Sequence, residues 1–176
     1  IRRIFDLIFG NPFITPTFDE FAMFMAYASS LRSADLSRQV GAVVTRGHDI
    51  LALGTNDSPR YGGGQNWPDA DAKITTLPTP GTDAFRGYDA NKAEFDIIAN
   101  DVMTVFGIEV DDEDKRSEYL GKLKKTRLGG LTEYGRSVHA EMEALDVCAR
   151  NGIPTKGCTM YVTTYPCHNC AKHIID

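Results

Sequence analysis

His139-Ala140-Glu141 and, further on, Pro166-Cys167-His168-Asn169-Cys170 are the two stretches on which the reading of this chain turns. His139 and Pro166 stand 27 residues apart. Alone, each stretch says little: C-x-x-C serves redox pairs and structural zinc half-sites alike, and H-x-E arises by chance. Their surroundings give them meaning. Val138, Met142, Leu145 and Ala149 follow a helical period over 138–150, Gly152 stops it, and Pro154 lies beyond. Residues 158–163 read as a strand, and Thr164-Tyr165-Pro166 turns the chain into a helix starting near Cys167. The first stretch therefore opens a helix and the second sits at a strand-to-helix turn.

That placement suits a metal. A catalytic zinc takes three protein ligands and leaves a fourth position for water. His139, Cys167 and Cys170 supply that count. A cysteine in the first turn of a helix faces the positive end of the dipole, which favours thiolate over thiol. Zinc held there lowers the pKa of its water toward ~7. Glu141 is too near His139 to add a fourth bond of good geometry, yet it can reach the water, take its proton and pass it on. A closed structural zinc site is the other reading of the same residues. It would recruit His168 or His173 as a fourth ligand and leaves Glu141 and Pro166 without a purpose.

Working outward, Thr17 and Glu20 fit a capping box, followed by Phe21, Phe24, Met25, Ala28 and Leu31 at helical spacing. Residues 40–45 are rich in β-branched types, Arg46-Gly47-His48-Asp49 is turn chemistry, and 50–55 returns as the second strand of a hairpin. Asn56 follows in a run that stops strands, and by position alone it reads as a turn residue. Residues 57–90 hold Gly62-Gly63-Gly64 and four of the eight prolines, so a long irregular segment is expected. A helix is expected at about 91–106, with Phe95, Ile98, Val102 and Val105 on one face. The acidic run 109–114 and basic residues 122–127 read as solvated faces of a polar helical stretch. Cys148 and Cys158 follow apolar patterns and are expected as small buried hydrophobes, and His48 as an exposed turn residue.

The composition narrows the class. Of 176 residues, 42% are hydrophobic and 24% charged, which fits a globular protein and excludes a disordered or collagen-like one. No run approaches the ~20 apolar residues of a membrane span. Asp6 interrupts the apolar stretch at 1–8, so these residues do not read as a secretory segment, and a cytoplasmic protein without a disulfide framework is expected. With 24 acidic and 19 basic residues the net charge is −5, which argues against general binding of nucleic acid.

The His139-Ala140-Glu141 and Pro166-Cys167-His168-Asn169-Cys170 pair resembles the signature of the zinc-dependent cytidine deaminase superfamily, in which the Glu is acid/base and not ligand. Within it, Arg38-Gln39-Val40-Gly41-Ala42-Val43-Val44, Gly54-Thr55-Asn56 and Thr163-Thr164-Tyr165-Pro166-Cys167 are similar to the deoxycytidylate deaminases. Asn11-Pro12, Thr15-Pro16-Thr17 and Arg86-Gly87-Tyr88-Asp89-Ala90-Asn91 resemble the deaminase part of bacterial anti-phage deoxycytidine nucleotide deaminases. The superfamily likeness covers residues 18–60 and 131–176, and 61–130 matches only the narrower group. Two features depart from it: Glu143 stands where an Asn is usual, and the gap from Asn56 to His139 is long.

The resemblance implies a cytidine deaminase-like three-layer α/β/α fold with a mixed sheet. It implies zinc (Zn2+) on His139, Cys167 and Cys170, with Glu141 as the catalytic acid/base. It assigns Asn56 to the sugar hydroxyl or pyrimidine edge, the Ala140 amide to the pyrimidine O2, and the carbonyls around Thr164 and Tyr165 to the leaving amine. The implied reaction is hydrolytic deamination of a free deoxycytidine nucleotide, dCTP or dCMP, in nucleotide-pool control or anti-phage defence. Residues 1–16 are expected as a connector from a preceding P-loop kinase-like domain, and 17–176 as the deaminase domain. That domain would carry an insertion at about 57–130, long enough to act as a lid, and would lack its C-terminal end. A homo-oligomer is expected. A base deaminase acting on tRNA or other nucleic acid, a riboflavin-pathway deaminase and a non-catalytic, zinc-stabilised regulatory domain are the rival readings. The first needs a basic approach surface.

Overall fold

The computed structural model of the chain describes residues 1–11, 13–68, 78–108 and 113–176. The expectations that fall on Pro12, on 69–77 within the irregular segment, and on most of the acidic run lie outside the described residues. The chain forms two compact units. One comprises Ile1–Ala34, Arg38–Asp57 and Val138–Asp176, and the other Asp35–Ser37 and Ser58–Ser137.

The first unit begins with α1 (Arg2–Ile8) and α2 (Phe18–Ser30). The capping box of α2 is present: the Thr17 amide donates to the Glu20 carboxylate at 2.6 Å, and the Glu20 amide donates to Thr17 Oγ1 at 3.2 Å. Arg3 adds a forked bond to the same carboxylate, at 3.0 and 2.7 Å, and so ties α1 to the start of α2. The hairpin follows as β1 (Gly41–Arg46) and β2 (Asp49–Thr55), turning at Gly47, whose φ of +58° suits glycine. After α6 (Ala140–Arg150) comes β3 (Thr159–Val162), which pairs with the free edge of β1. The strand order is β2-β1-β3, and both pairings are antiparallel.

Two glycines set how this sheet is covered. Gly41 pairs with Thr55, and Ala42 pairs with Gly54, so Gly41 and Gly54 face opposite sides. On the Gly41 side, a Cβ would stand 1.9 Å from the Ala26 carbonyl oxygen of α2. On the Gly54 side, it would stand 2.0 Å from the carbonyl oxygen of Ala140, which opens α6 (Ala140–Arg150). Each helix thus lies with its backbone against a glycine, and the unit has the expected three layers, α/β/α. The core on the α6 side gathers Val40, Ala42, Val44, Ala52, Ala140, Ala144 and Cys148.

This contact overturns two expected faces. The apolar period on α2 selects Phe21, Phe24 and Leu31, but those are exposed, and Ala22, Ala26 and Ser30 are buried. On α6 the buried row is Ala140, Ala144 and Cys148, together with Glu141 and Glu143, whereas Val138, Met142 and Leu145 are only half-buried and Ala149 is exposed. Side chains larger than Ala or Cys do not fit where a helix backbone sits on a sheet glycine.

The second unit contains α3 (Asp83–Arg86), α4 (Ala90–Val105) and α5 (Glu113–Lys124), followed by a 3-10 turn at Arg127–Gly130. Asp89 caps α4, accepting from the Lys92 amide at 3.1 Å. The centre of the α4 face is Ala99 and Met103, while Val105 is exposed. Arg136 pairs with buried Asp83 at 2.7 Å, and Arg116 reaches Asn100, joining α5 to α4. The expected helix at about 91–106 and the polar helical stretch after it are thus both present.

Candidate metal centre and active site

The start of α6 is fixed from the strand side. Asp57 N donates to Val138 O at 3.3 Å and Val138 N returns to Asp57 O at 3.0 Å. His139 comes next and caps α6 with extended backbone (φ −67°, ψ 152°), but its side chain makes no capping bond. The imidazole is therefore available elsewhere. Cys167 caps α7 (His168–Ile175), and its Sγ accepts from the Cys170 amide at 3.5 Å.

These two helix starts converge. His139 Nδ1 stands 3.4 Å from Cys167 Sγ and 3.4 Å from Cys170 Sγ. All three ligand atoms lie within 4.8 Å of one another. Tetrahedral zinc with bonds of about 2.3 Å to sulfur and about 2.0–2.1 Å to nitrogen would hold such atoms roughly 3.6 Å apart. The residues fit the metal. Neither His168 nor His173 joins them, and both are exposed, so the closed four-ligand reading has no histidine to complete it.

Charge points the same way. Burial pushes the Cys170 thiol well above its ordinary pKa, and the Glu141 carboxylate and the Cys167 thiol beside it push it further. A divalent cation held between these groups would outweigh those effects and make thiolate ligands of the thiols. Glu141 is 3% exposed, in the first turn of α6 next to the metal ligands. A buried carboxylate beside a candidate metal site has the position that a carrier of protons to and from a metal-bound water would need.

The other expected site residues have plain positions. Ala140 is fully buried at the helix start. Tyr165 is 94% exposed in the turn before Cys167. Neighbouring Thr164 Oγ1 accepts from Arg38 at 3.0 Å. The Asn56 side chain bridges backbone: Oδ1 accepts from the Val40 amide and Nδ2 donates to the Arg38 carbonyl, each at 2.7 Å. That is the turn-building role its position suggests, and one amide proton and one lone pair remain for a ligand. Cys148 is buried as expected, while Cys158 is half-buried and receives the Arg46 guanidinium at 3.7 Å. His48 is exposed and meets the Phe18 ring edge-on.

Sequence reasoning passed over one group near the site. Asp57 and Glu143 are buried acids, at 4% and 7% exposure. Arg150 meets Glu143 at 2.6 Å. Half-buried Arg32 lies within the field of both carboxylates: burial pulls its pKa down, and the charges of Asp57 and then Glu143 pull it up. No periodicity marks these residues, which come from three segments of the chain.

The fold and site define a class: an α/β domain with an open His-Cys-Cys metal centre and a buried carboxylate beside it. The family model described as "Cytidine and deoxycytidylate deaminase zinc-binding region" matches residues 16–176, and the chain belongs to that family. Deoxycytidylate deaminase of Enterobacteria phage T4 is 32% identical over 152 residues, 85% of this chain and 68% of the phage protein. ComE operon protein 2 of Bacillus subtilis (strain 168) is 52% identical over 41 residues, 23% of this chain and 22% of that protein. Among solved structures, a dCMP deaminase from cyanophage S-TIM5 in apo form aligns with TM-score 0.46 and 19% identity, covering 91% of this chain and 75% of that one. No helix among the described residues is long and apolar enough to cross a membrane.

Proposed function

We propose that this chain hydrolyses the exocyclic amine of a free deoxycytidine nucleotide, releasing ammonia and a deoxyuridine nucleotide. The observation that carries it is the convergence of His139, Cys167 and Cys170, with Glu141 buried beside them. The substrate class is supported by relatives named deoxycytidylate deaminase. dCMP is therefore the first substrate, and dCTP the finer possibility that the resemblance at residues 86–91 raises, along with a role in anti-phage defence.

Zinc, when bound by the three ligands, acidifies a water molecule and supplies a nucleophile near neutral pH. The chain's own groups do the rest. Glu141 takes the proton released by the water, gives it to the ring nitrogen and carries a second one to the departing amine. The C4–N bond breaks as the C4 carbonyl forms. The Ala140 amide, at a helix start, holds the pyrimidine O2. The carbonyls around Thr164 and Tyr165 accept from the leaving amine, and the unused hydrogen-bonding capacity of Asn56 reads the sugar. The net charge of −5 disfavours a nucleic-acid strand, whose binding depends on several Lys or Arg contacts to phosphate. A homo-oligomer is part of this reading, and sedimentation of the purified protein tests it.

The deciding experiment compares ammonia release from dCMP, dCTP, free deoxycytidine and a cytosine-bearing single strand. Turnover of a free nucleotide in preference to the strand is expected. Faster reaction on the strand, or no reaction on any of the four, overturns the proposal.

A further inference from the structure

We propose that Arg38 is a positioning residue: its guanidinium, bonded to Thr164, holds the turn that leads into Cys167 in register with Asn56. The kinetic consequence rests on the deaminase reading above, in which Asn56 and the carbonyls around Thr164 and Tyr165 meet the substrate. The consequence for the metal centre does not.

Asn56 fixes the backbone of Arg38. The Asn56 side chain donates to the Arg38 carbonyl and accepts from the Val40 amide, each at 2.7 Å, and the Asn56 amide donates to the Val40 carbonyl at 3.2 Å. Asn56 is 7% exposed, so water competes little for these bonds. The 38–40 segment runs from here directly into β1 at Gly41.

The turn before Cys167 has fewer ties. β3 ends at Val162 and α7 begins at His168. Thr163 is still joined to β1: its amide donates to the Gly41 carbonyl, and its Oγ1 accepts from the Gly41 amide, each at 3.1 Å. Thr164, Tyr165 and Pro166 belong to neither element, and Pro166 has no amide proton to give. Rotation of the backbone here swings the carbonyls of Thr164 and Tyr165. It also moves the approach to Cys167, whose Sγ lies 3.4 Å from His139 Nδ1. Arg38 adds a tie inside this stretch: its guanidinium donates to Thr164 Oγ1 at 3.0 Å, across 126 positions of sequence.

The chemistry of the two side chains suits that task. Thr is β-branched and stiff at χ1, and its Oγ1 is a single torsion from the backbone, so a donor that fixes Oγ1 restrains the Thr164 backbone as well. A guanidinium is a planar, pre-organised donor, where an ammonium is a mobile point of charge. Arg38 is exposed, and the bridge from Asn56 engages only its carbonyl, so loss of the side chain frees the turn without undoing the 38–40 segment. Misplacing a catalytic contact by about 1 Å can cost on the order of 10²-fold in rate.

The test uses Arg38→Met, Arg38→Lys, Thr164→Val and the double variant Arg38→Met with Thr164→Val, in the whole protein. Arg38→Met keeps the apolar stem and removes every donor. Thr164→Val keeps the branch and removes the acceptor. kcat and KM are measured on dCMP and on deoxycytidine, thermal unfolding gives Tm, and cobalt(II) is substituted for zinc to record its visible bands. Arg38→Met and Thr164→Val are each expected to keep Tm within a few degrees of wild type, lower kcat on dCMP at least ~10-fold, and change KM less than about threefold. The double variant should be no slower than the slower single one, because both changes remove the same bond. Arg38→Lys should recover part of the loss. Wild-type kcat in folded Arg38→Met, or losses that multiply in the double variant, overturn the proposal. So does a rise in KM on dCMP with kcat and the deoxycytidine reaction unchanged, which makes Arg38 a contact to the phosphate instead. If Arg38→Met does not fold, Thr164→Val decides by the same kcat criterion. If the wild-type protein turns over neither substrate, the functional reading falls and the cobalt bands decide: bands shifted in both single variants support the tie on the Cys167 turn, and unchanged bands in either overturn it.

Discussion

Gly54 and Ala140 meet with no room for a side chain between them: a Cβ on Gly54 would lie 2.0 Å from the Ala140 carbonyl oxygen and 2.6 Å from the Ala144 amide nitrogen. Ala140 stands between His139 and Glu141, so this contact sets how deeply the end of α6 that carries the candidate metal site settles on the sheet. Gly54→Ala is expected to force strand and helix apart. Overpacking of this kind costs about 1–3 kcal/mol, which lowers Tm by several degrees. Zinc affinity should fall with it. Gly41→Ala makes an equally tight contact, 1.9 Å from the Ala26 carbonyl oxygen, on the face away from α6. It should lower Tm comparably and leave zinc affinity nearly unchanged. Calorimetry and chelator competition on the two variants check the contrast, and an unchanged Tm in Gly54→Ala would contradict the packing described.

Purified protein that has met no chelator should hold one zinc per chain. Cys170→Ser should hold almost none, because the hydroxyl that replaces the buried thiol does not ionise as a zinc ligand at neutral pH. Elemental analysis against protein concentration gives the answer. Zinc retained at full stoichiometry in the Ser variant would show that the ligands lie elsewhere.

Glu141→Ala should keep its zinc and lose nearly all turnover. One positioned acid/base contributes typically 10²–10⁴-fold, and in the proposed reaction a single carboxylate serves several proton transfers, so the loss belongs at or above the top of that range. Rates on dCMP beside a zinc assay separate the two effects. A variant with a tenth of the wild-type rate would remove Glu141 from the mechanism.

The α1–α2 junction should be insensitive to mild acid. The forked hydrogen bond from Arg3, and after it the bonds from Thr17, hold the Glu20 carboxyl down to about 2. A depressed pKa means that, as pH falls, the unfolded chain takes up this proton before the folded one does. The stabilisation from Glu20 is therefore complete above its ordinary range near ~4.3 and is lost as pH falls toward about 2. NMR titration of the Glu20 side chain should give a midpoint well below 4, and Arg3→Ala should raise it. A midpoint near 4 in the wild-type protein would show that the Arg3 contact does not form in solution.

Much of this molecule is local chemistry, and the sequence by itself determined that part. The capping box needs only Thr17 and Glu20, and the hairpin only the β-branched run at 40–45 and the largely apolar return at 50–55 around Gly47. The candidate metal site is legible because a helix start and a strand-to-helix turn are both written in short stretches, at 139–141 and 166–170. The tertiary structure alone decided which helix faces are buried. Hydrophobic periodicity ranks side chains by transfer from water and so favours Phe21, Phe24 and Leu31 on α2 and Met142 and Leu145 on α6. Close packing against Gly41 and Gly54 admits only small groups, so Ala22 and Ala26, and Ala140, Ala144 and Cys148, go inside. The same limit holds for the backbone pairing of Asp57 with Val138 and for the backbone bridge made by Asn56. Their partners lie tens of residues away in the chain, and a contact between distant segments exists only once the sheet and its two helices have come together.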